Sequence, residues 1–197
     1  MKANAGSQLH LQELIEHRSE ILTAEVRQHL KIDTSIDWIS PLGPDYKEYK
    51  DGAALGKLAI ELQAPLNEFW PKGGPVWDAL GVGDQGQAFL VEAKANIEEM
   101  ISPPSGATGK SLDLIRSSLE KVKTDLNIKS DLPWDRQFYQ YFNRLAWLHY
   151  LRVINGHPTY LVLIYFTESD VAKRCCPTTA KEWEAAIYLM ETLYQVR

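Results

Sequence analysis

Residues 75–95 carry two apolar segments joined by a tight polar turn, and this stretch restricts the fold more than any other. Pro75-Val76-Trp77-Asp78-Ala79-Leu80 leads into Gly83-Asp84-Gln85-Gly86, and Gln87-Ala88-Phe89-Leu90-Val91-Glu92-Ala93-Lys94-Ala95 follows. Two glycines around two polar residues suit a short hairpin loop between antiparallel strands. A turn centred on Gln85 sets Asp78 opposite Glu92 on one face of the sheet. Side chains alternate along a strand, so Glu92 and Lys94 share that face and Ala93 points the other way. A slip of one residue would undo the arrangement. Burying a charge is costly unless it is paired or binds a metal. Two acids and a lysine closing an apolar strand therefore call for a reason, and a divalent-metal site for phosphodiester hydrolysis is the simplest functional one.

The rest of the chain frames the hairpin with helices. Periodic apolar residues predict a helix from Gln8 to about Leu30, with a break near Arg18-Ser19. Lys31 to Pro44 reads as a connection containing Trp38 and Ile39, and Asp45 to Leu58 as a second helix. Leu62 to Phe69 is a short helical piece ended by Pro71-Lys72-Gly73-Gly74. After the hairpin, residues 101–109 form a Pro- and Gly-rich loop beside the Lys94 strand. Ser111 to Leu126 and Asp135 to Ile154 are expected helices, the second rich in aromatics and stopped by Asn155-Gly156-His157-Pro158. Thr159 to Phe166 is a continuous apolar strand, as in a sheet covered on both faces. Thr178 to Val196 is a final helix, with Thr178 or Thr179 as N-cap and Glu182 in its first turn. Helix, hairpin, strand, helix and strand in this order predict an α/β sandwich around a mixed sheet. One strand is left unassigned, either a different split of Val76–Leu80 or a piece near Leu58–Leu62.

These residues resemble the PD-(D/E)xK nucleases, the superfamily with the restriction-endonuclease-like fold. The pattern is an Asp on one strand and (Asp/Glu)-x-Lys on the next. Here it reads Pro75-Val76-Trp77-Asp78 and then Glu92-Ala93-Lys94, with the Pro-Asp pair split by Val76-Trp77. The stretch from about Pro44 to Phe166 is similar to a small bacterial group of that superfamily. The resemblance implies a restriction-endonuclease-like core, with a mixed central sheet flanked by helices and extra helices at both termini. It divides the chain into a helical extension, residues 1–43, and a nuclease-like domain, residues 44–197, in one compact unit. It implies a Mg²⁺- or Mn²⁺-dependent nuclease acting on DNA. Asp78 and Glu92 would hold the cation with the backbone carbonyl of Ala93, and Lys94 would orient the attacking water. Glu48 is a candidate for a further metal contact, and Glu61 is its rival. Gln137, Gln140, Tyr141 and Arg144 fall at i, i+3, i+4 and i+7, one helical face. Gln137-x-x-x-Tyr141 also resembles the Gln-x-x-x-Tyr motif of the recombination-exonuclease branch, with Gln140 as an equal candidate for the Gln role. Arg144 suits a phosphate.

Simpler readings stand beside these. Asp78, Glu92 and Lys94 would serve equally as a salt-bridge cluster on a half-exposed hairpin. The helix residues would serve as a buried polar network, and Glu48 as a solvated helix residue. The five histidines form no ligand spacing on one element. Adjacent Cys175 and Cys176 read as free thiols in a reducing compartment. The net charge is −5, with seven basic and eleven acidic residues in 1–69 but ten of each in 70–157. Acidity argues against a non-specific nucleic-acid coat and favours a homodimer or protein partner in building any DNA groove. No apolar run reaches the roughly 20 residues of a bilayer span, and the polar N-terminus has no signal core, so the expected location is cytoplasmic and off the membrane. The alternative function is a catalytically inactive nuclease-fold protein that binds a partner.

Overall fold

The computed structural model describes residues 2–169 and 177–196. Its centre is a four-stranded mixed sheet built from β1 (Ile36–Ser40), β4 (Ala79–Gly83), β5 (Ala88–Lys94) and β6 (Thr159–Tyr165), in that spatial order. β1, β4 and β5 form an antiparallel meander, and β6 adds to β5 in parallel. A two-residue ribbon pairs β2 (Tyr49–Lys50) with β3 (Val76–Trp77). The helices are α1 (Gly6–Leu30), α2 (Asp51–Lys57), α3 (Leu66–Phe69), α4 (Ile97–Met100), α5 (Gly109–Asp125), α6 (Tyr139–His149) and α7 (Ala180–Tyr194), with a π-helical turn at Tyr150–Ile154.

The hairpin forms in the register expected from its turn. Ala79 faces Val91, Leu80 faces Leu90 and Val82 faces Ala88. Gly83 N–H donates to the Gln87 carbonyl at 2.8 Å, and Gly86 takes the positive φ of 78° that closes such a loop. Alternation along β5 then sorts its side chains. Phe89, Val91 and Ala93 join Ala79 and Trp38 in a core under α1, where Leu11, Ile15, Leu22 and Val26 cover them. Ala88 and Leu90 face the larger core on the opposite side, with α5, α6 and α7 contributing Ile115, Leu119, Phe142, Trp147 and Trp183. Glu92 and Lys94 continue that second face beyond the apolar residues, at the end of the strand.

Several expected elements stand with small changes of length. α1 is interrupted at Arg18 (φ −146°, ψ 33°), as its pattern indicates. α7 starts at a full capping box between Thr179 and Glu182. Other expectations are corrected. The missing meander strand is neither a split of Val76–Leu80 nor a piece at Leu58–Leu62. It is β1, inside the segment expected to be a connection, and so residues 1–43 carry a sheet strand as well as a helix. The helix expected over Asp45–Leu58 shrinks to α2, because Tyr49 and Lys50 pair with Trp77 and Val76 instead. Glu48 thus lies in the loop before β2 and not on a helix. β6 is an edge strand whose residues beyond Thr159 are only partly buried, so it is not covered fully on both faces. Cys175 and Cys176 lie outside the described residues. No described helix is long and apolar enough to cross a membrane.

Candidate active site

Asp78 sits in the one-residue break between β3 and β4, where the chain leaves the small ribbon for the main sheet. Its N–H donates to the Val91 carbonyl at 3.1 Å, and its Oδ2 accepts from the Ala93 N–H at 2.8 Å. The aspartate therefore clasps the β5 backbone between Glu92 and Lys94. Its other oxygen meets no donor among the described residues. Burial, with the nearby Glu92 charge adding to it, pushes the Asp78 carboxyl up to about 7 against the relief given by Ala93 N–H and Lys94; Glu48 also pushes it up.

Glu92 is 5% exposed, and both its oxygens are engaged. Lys94 Nζ donates to Oε1 at 2.5 Å. Arg144 donates to Oε2 through Nε at 2.8 Å and lies within 2.7 Å through Nη2. Arg144 is itself 5% exposed. Its remaining donors reach the Val76 carbonyl and Asn143 Oδ1, and its guanidinium stands 5.3 Å from the Trp77 ring centroid. Lys94 also donates to Gln140 Oε1 at 2.9 Å. These cations offset the cost of burying Glu92, and a pair this deeply buried is disrupted at high cost when one partner is removed.

Glu48 approaches from the loop before β2. Gln8, in the first turn of α1, donates to it at 2.5 Å. Burial raises the Glu48 carboxyl, the Gln8 bond opposes this, and the Glu92 charge raises it further. Glu48, Asp78 and Glu92 thus lie within electrostatic reach of one another, at the junction of α1, β3 and β5. Among the described residues no three His, Cys, Asp or Glu side chains converge as a ready metal cluster. The donor chemistry is nevertheless that of a hard cation, which prefers few carboxylates and keeps its waters. Burial first, and the neighbouring Glu92 charge after it, raise Asp78 and Glu48, and a bound cation would offset both.

The structure brings together Asp78, Glu92, Lys94, Glu48, Gln140 and Arg144 from the expected set. Tyr141 joins them at the rim, lining a small cavity with Glu92, Lys94, Met100, Gln140, Leu163 and Tyr165. Burial pushes its phenol up to about 12, so it remains a hydroxyl. Gln137 is corrected. It is exposed, in the turn before α6, and Phe138 takes a left-handed conformation (φ 59°) that starts the helix only at Tyr139. Its side chain is therefore not on the face shared by Gln140, Tyr141 and Arg144. Glu61 is exposed between α2 and α3, outside this group.

Two residues were missed by sequence reasoning. Gln8 has no local signal, since its partner lies forty residues on and only the docking of α1 joins them. Asn143 stands i+3 from Gln140 and beside Arg144, a spacing that could have drawn attention to it. Comparison with known protein families, with curated proteins and with solved structures finds no match.

Proposed function

We propose that this chain is a metal-dependent phosphodiesterase of the PD-(D/E)xK type, acting on nucleic acid and first of all on DNA. The observation that carries the reading is the meeting of Asp78 and Glu92 at the end of β5, with Lys94 two residues on, and with burial first and the Glu92 charge after it raising the Asp78 and Glu48 carboxyls. The order α1, meander, α5 and α6, then parallel β6 supports a restriction-endonuclease-like core.

Asp78, Glu92, the Ala93 carbonyl and Glu48 would hold Mg²⁺ or Mn²⁺. A divalent cation held there supplies charge neutralisation at the phosphoryl oxygens and makes water a better nucleophile at neutral pH. The chain's own residues do the rest. Lys94 Nζ, fixed between Glu92 and Gln140, aligns the attacking water and stabilises developing negative charge. Arg144 and Gln140, on the face of α6 beside the carboxylates, would bind the phosphate group. Tyr141 closes the rim and limits water. Calorimetric titration with Mn²⁺ and Mg²⁺ tests this reading, followed by cleavage assays on DNA and RNA. Wild type should bind, and Asp78→Ala and Glu92→Ala should not. Absence of wild-type binding together with absence of cleavage would overturn it.

A second reading is favoured by one specific observation. Both Glu92 oxygens are satisfied by Lys94 and Arg144 without any cation. A self-neutralised site of this kind suits a nuclease-fold protein kept as a binding module. It predicts unchanged stability on adding Mg²⁺ and no metal-dependent cleavage of any substrate.

A further inference from the structure

Beside the carboxylates runs a second groove of about 300 Å³, walled by Gly73–Val76 on one side and Pro103-Pro104 on the other. Its floor is the first half of α6, with Tyr139, Gln140, Asn143 and Arg144. We propose that this groove is a subsite for one nucleotide of a single strand next to the reacting phosphodiester, with the Asn143 and Gln140 amides donating to its oxygens and Tyr139 against its base. The proposal rests on the phosphodiesterase reading and names the substrate form that the site would take.

Hydrogen-bond bookkeeping fixes what the groove offers. A guanidinium and an ammonium can only donate. Arg144 Nη1 lies 2.7 Å from Asn143, so the Asn143 atom facing it is the oxygen. Lys94 Nζ likewise fixes Gln140 Oε1 at 2.9 Å. The amide nitrogens, Nδ2 of Asn143 and Nε2 of Gln140, are the atoms left over, and neither meets an acceptor among the described residues. Asn143 is only 6% exposed. Both amide nitrogens keep some access to solvent, so the groove presents free donors to a ligand rich in acceptor oxygens. No carboxylate lines it, and Glu92 lies behind Arg144 with both oxygens taken.

The walls are held in place before any ligand arrives. The Asp51 carboxylate accepts from Gly73 N–H at 3.0 Å and Gly74 N–H at 2.8 Å. A Cβ on Gly74 would stand 2.7 Å from both Asp51 Oδ1 and Trp147 Cζ2, so only glycine allows this wall to lie so close to α6. The Pro103-Pro104 wall is pinned on both sides. Gln140 N–H donates to Ser102 Oγ at 2.8 Å, and Ser105 N–H donates to the Asp135 carbonyl at 2.9 Å. A preformed groove avoids the ordering cost of binding. Its volume lies at the lower end for ligand pockets, enough for one nucleotide and not for a base pair. Gln140 lines both this groove and the cavity beside Glu92 and Lys94, so a strand seated in one continues into the other.

Fluorescence anisotropy with a labelled single-stranded oligothymidylate, in EDTA, tests the subsite apart from metal chemistry. Wild type should bind saturably, and a duplex of equal length more weakly. Asn143→Asp replaces the donor with an acceptor of the same shape and should weaken binding by about tenfold or more. Tyr139→Ala, at a partly exposed position, should weaken it by roughly tenfold through lost stacking. Equal affinity of wild type and both variants, or no saturable wild-type binding, overturns the subsite. Should Asn143→Asp fail to fold, as judged by circular dichroism, Tyr139→Ala decides alone. Mg²⁺ calorimetry on the same proteins separates the two readings. Oligonucleotide binding sensitive to these variants, with neither metal binding nor metal-dependent cleavage, leaves the groove standing and removes the phosphodiesterase. Metal binding with insensitive oligonucleotide affinity does the reverse.

Discussion

Asp84 and Asp78 stand at opposite ends of the same hairpin, and their carboxyls are shifted in opposite directions. Asp84, at the turn, accepts from Thr34 Oγ1 at 2.7 Å and from Ser35 N–H and Oγ at 3.2 Å each. Hydrogen bonds from Thr34 and Ser35 hold it below the usual carboxylate range. Asp78, at the open end, has one backbone donor, a buried setting and acidic neighbours, and it is pushed up to about 7. The turn end spends its polar groups on holding β1 to β4. The open end leaves charge incompletely compensated, and such a site is where binding or catalysis is found.

The largest effect expected from breaking this contrast is at Arg144. Arg144→Ala leaves Glu92 Oε2 unpaired in the interior, with only Lys94 remaining on the other oxygen, and should destabilise the protein by about 3 kcal/mol, read by urea denaturation. Asp78→Asn should act the other way. A raised folded pKa contributes stability that is full below the unfolded value of 3.8 and lost as pH rises through about 7. The asparagine removes that loss, so the variant should be more stable than wild type by roughly 2–4 kcal/mol above pH 7. The gain should shrink as pH falls toward 3.8, and metal binding should be lost throughout. A variant no more stable than wild type above neutrality would show that Asp78 is not strained by its charge. Glu48→Gln is a finer probe, and carboxyl NMR should show Asp78 titrating at lower pH than in wild type. The smallest effect belongs to Asp84→Asn. A depressed folded pKa gives stability present above the ordinary carboxylate value and lost as pH falls, so this variant should melt lower than wild type near neutrality and match it in acid.

The hairpin and its two acids were legible because their causes are local. A glycine turn sets the register, and the register sets Asp78, Glu92 and Lys94 on their places. α5 and α7 were legible for the same reason, through periodic apolar residues and the Thr179–Glu182 box. β1 was not, since its five residues have their partner in β4 some forty positions on, and only Trp38 and Ser40 are buried. Glu48 was placed on a helix because nothing nearby announces that Tyr49 and Lys50 will pair with a ribbon strand. Gln137 fell to one left-handed residue, Phe138, which starts α6 at Tyr139, four positions later than the expected start at Asp135. The candidate site was therefore readable where it lies within one hairpin, and unreadable where α1, the β2 loop and the start of α6 close around it.

The bond from Ala93 N–H to Asp78 Oδ2 has a further consequence. A backbone amide proton hydrogen-bonded to a carboxylate moves downfield as that carboxylate ionises and loses the shift when the oxygen turns to another partner. The Ala93 resonance is thus a built-in spectroscopic gauge of the site. It reports protonation of Asp78 and arrival of a cation from a position inside the sheet, with no label or substitution in the chain.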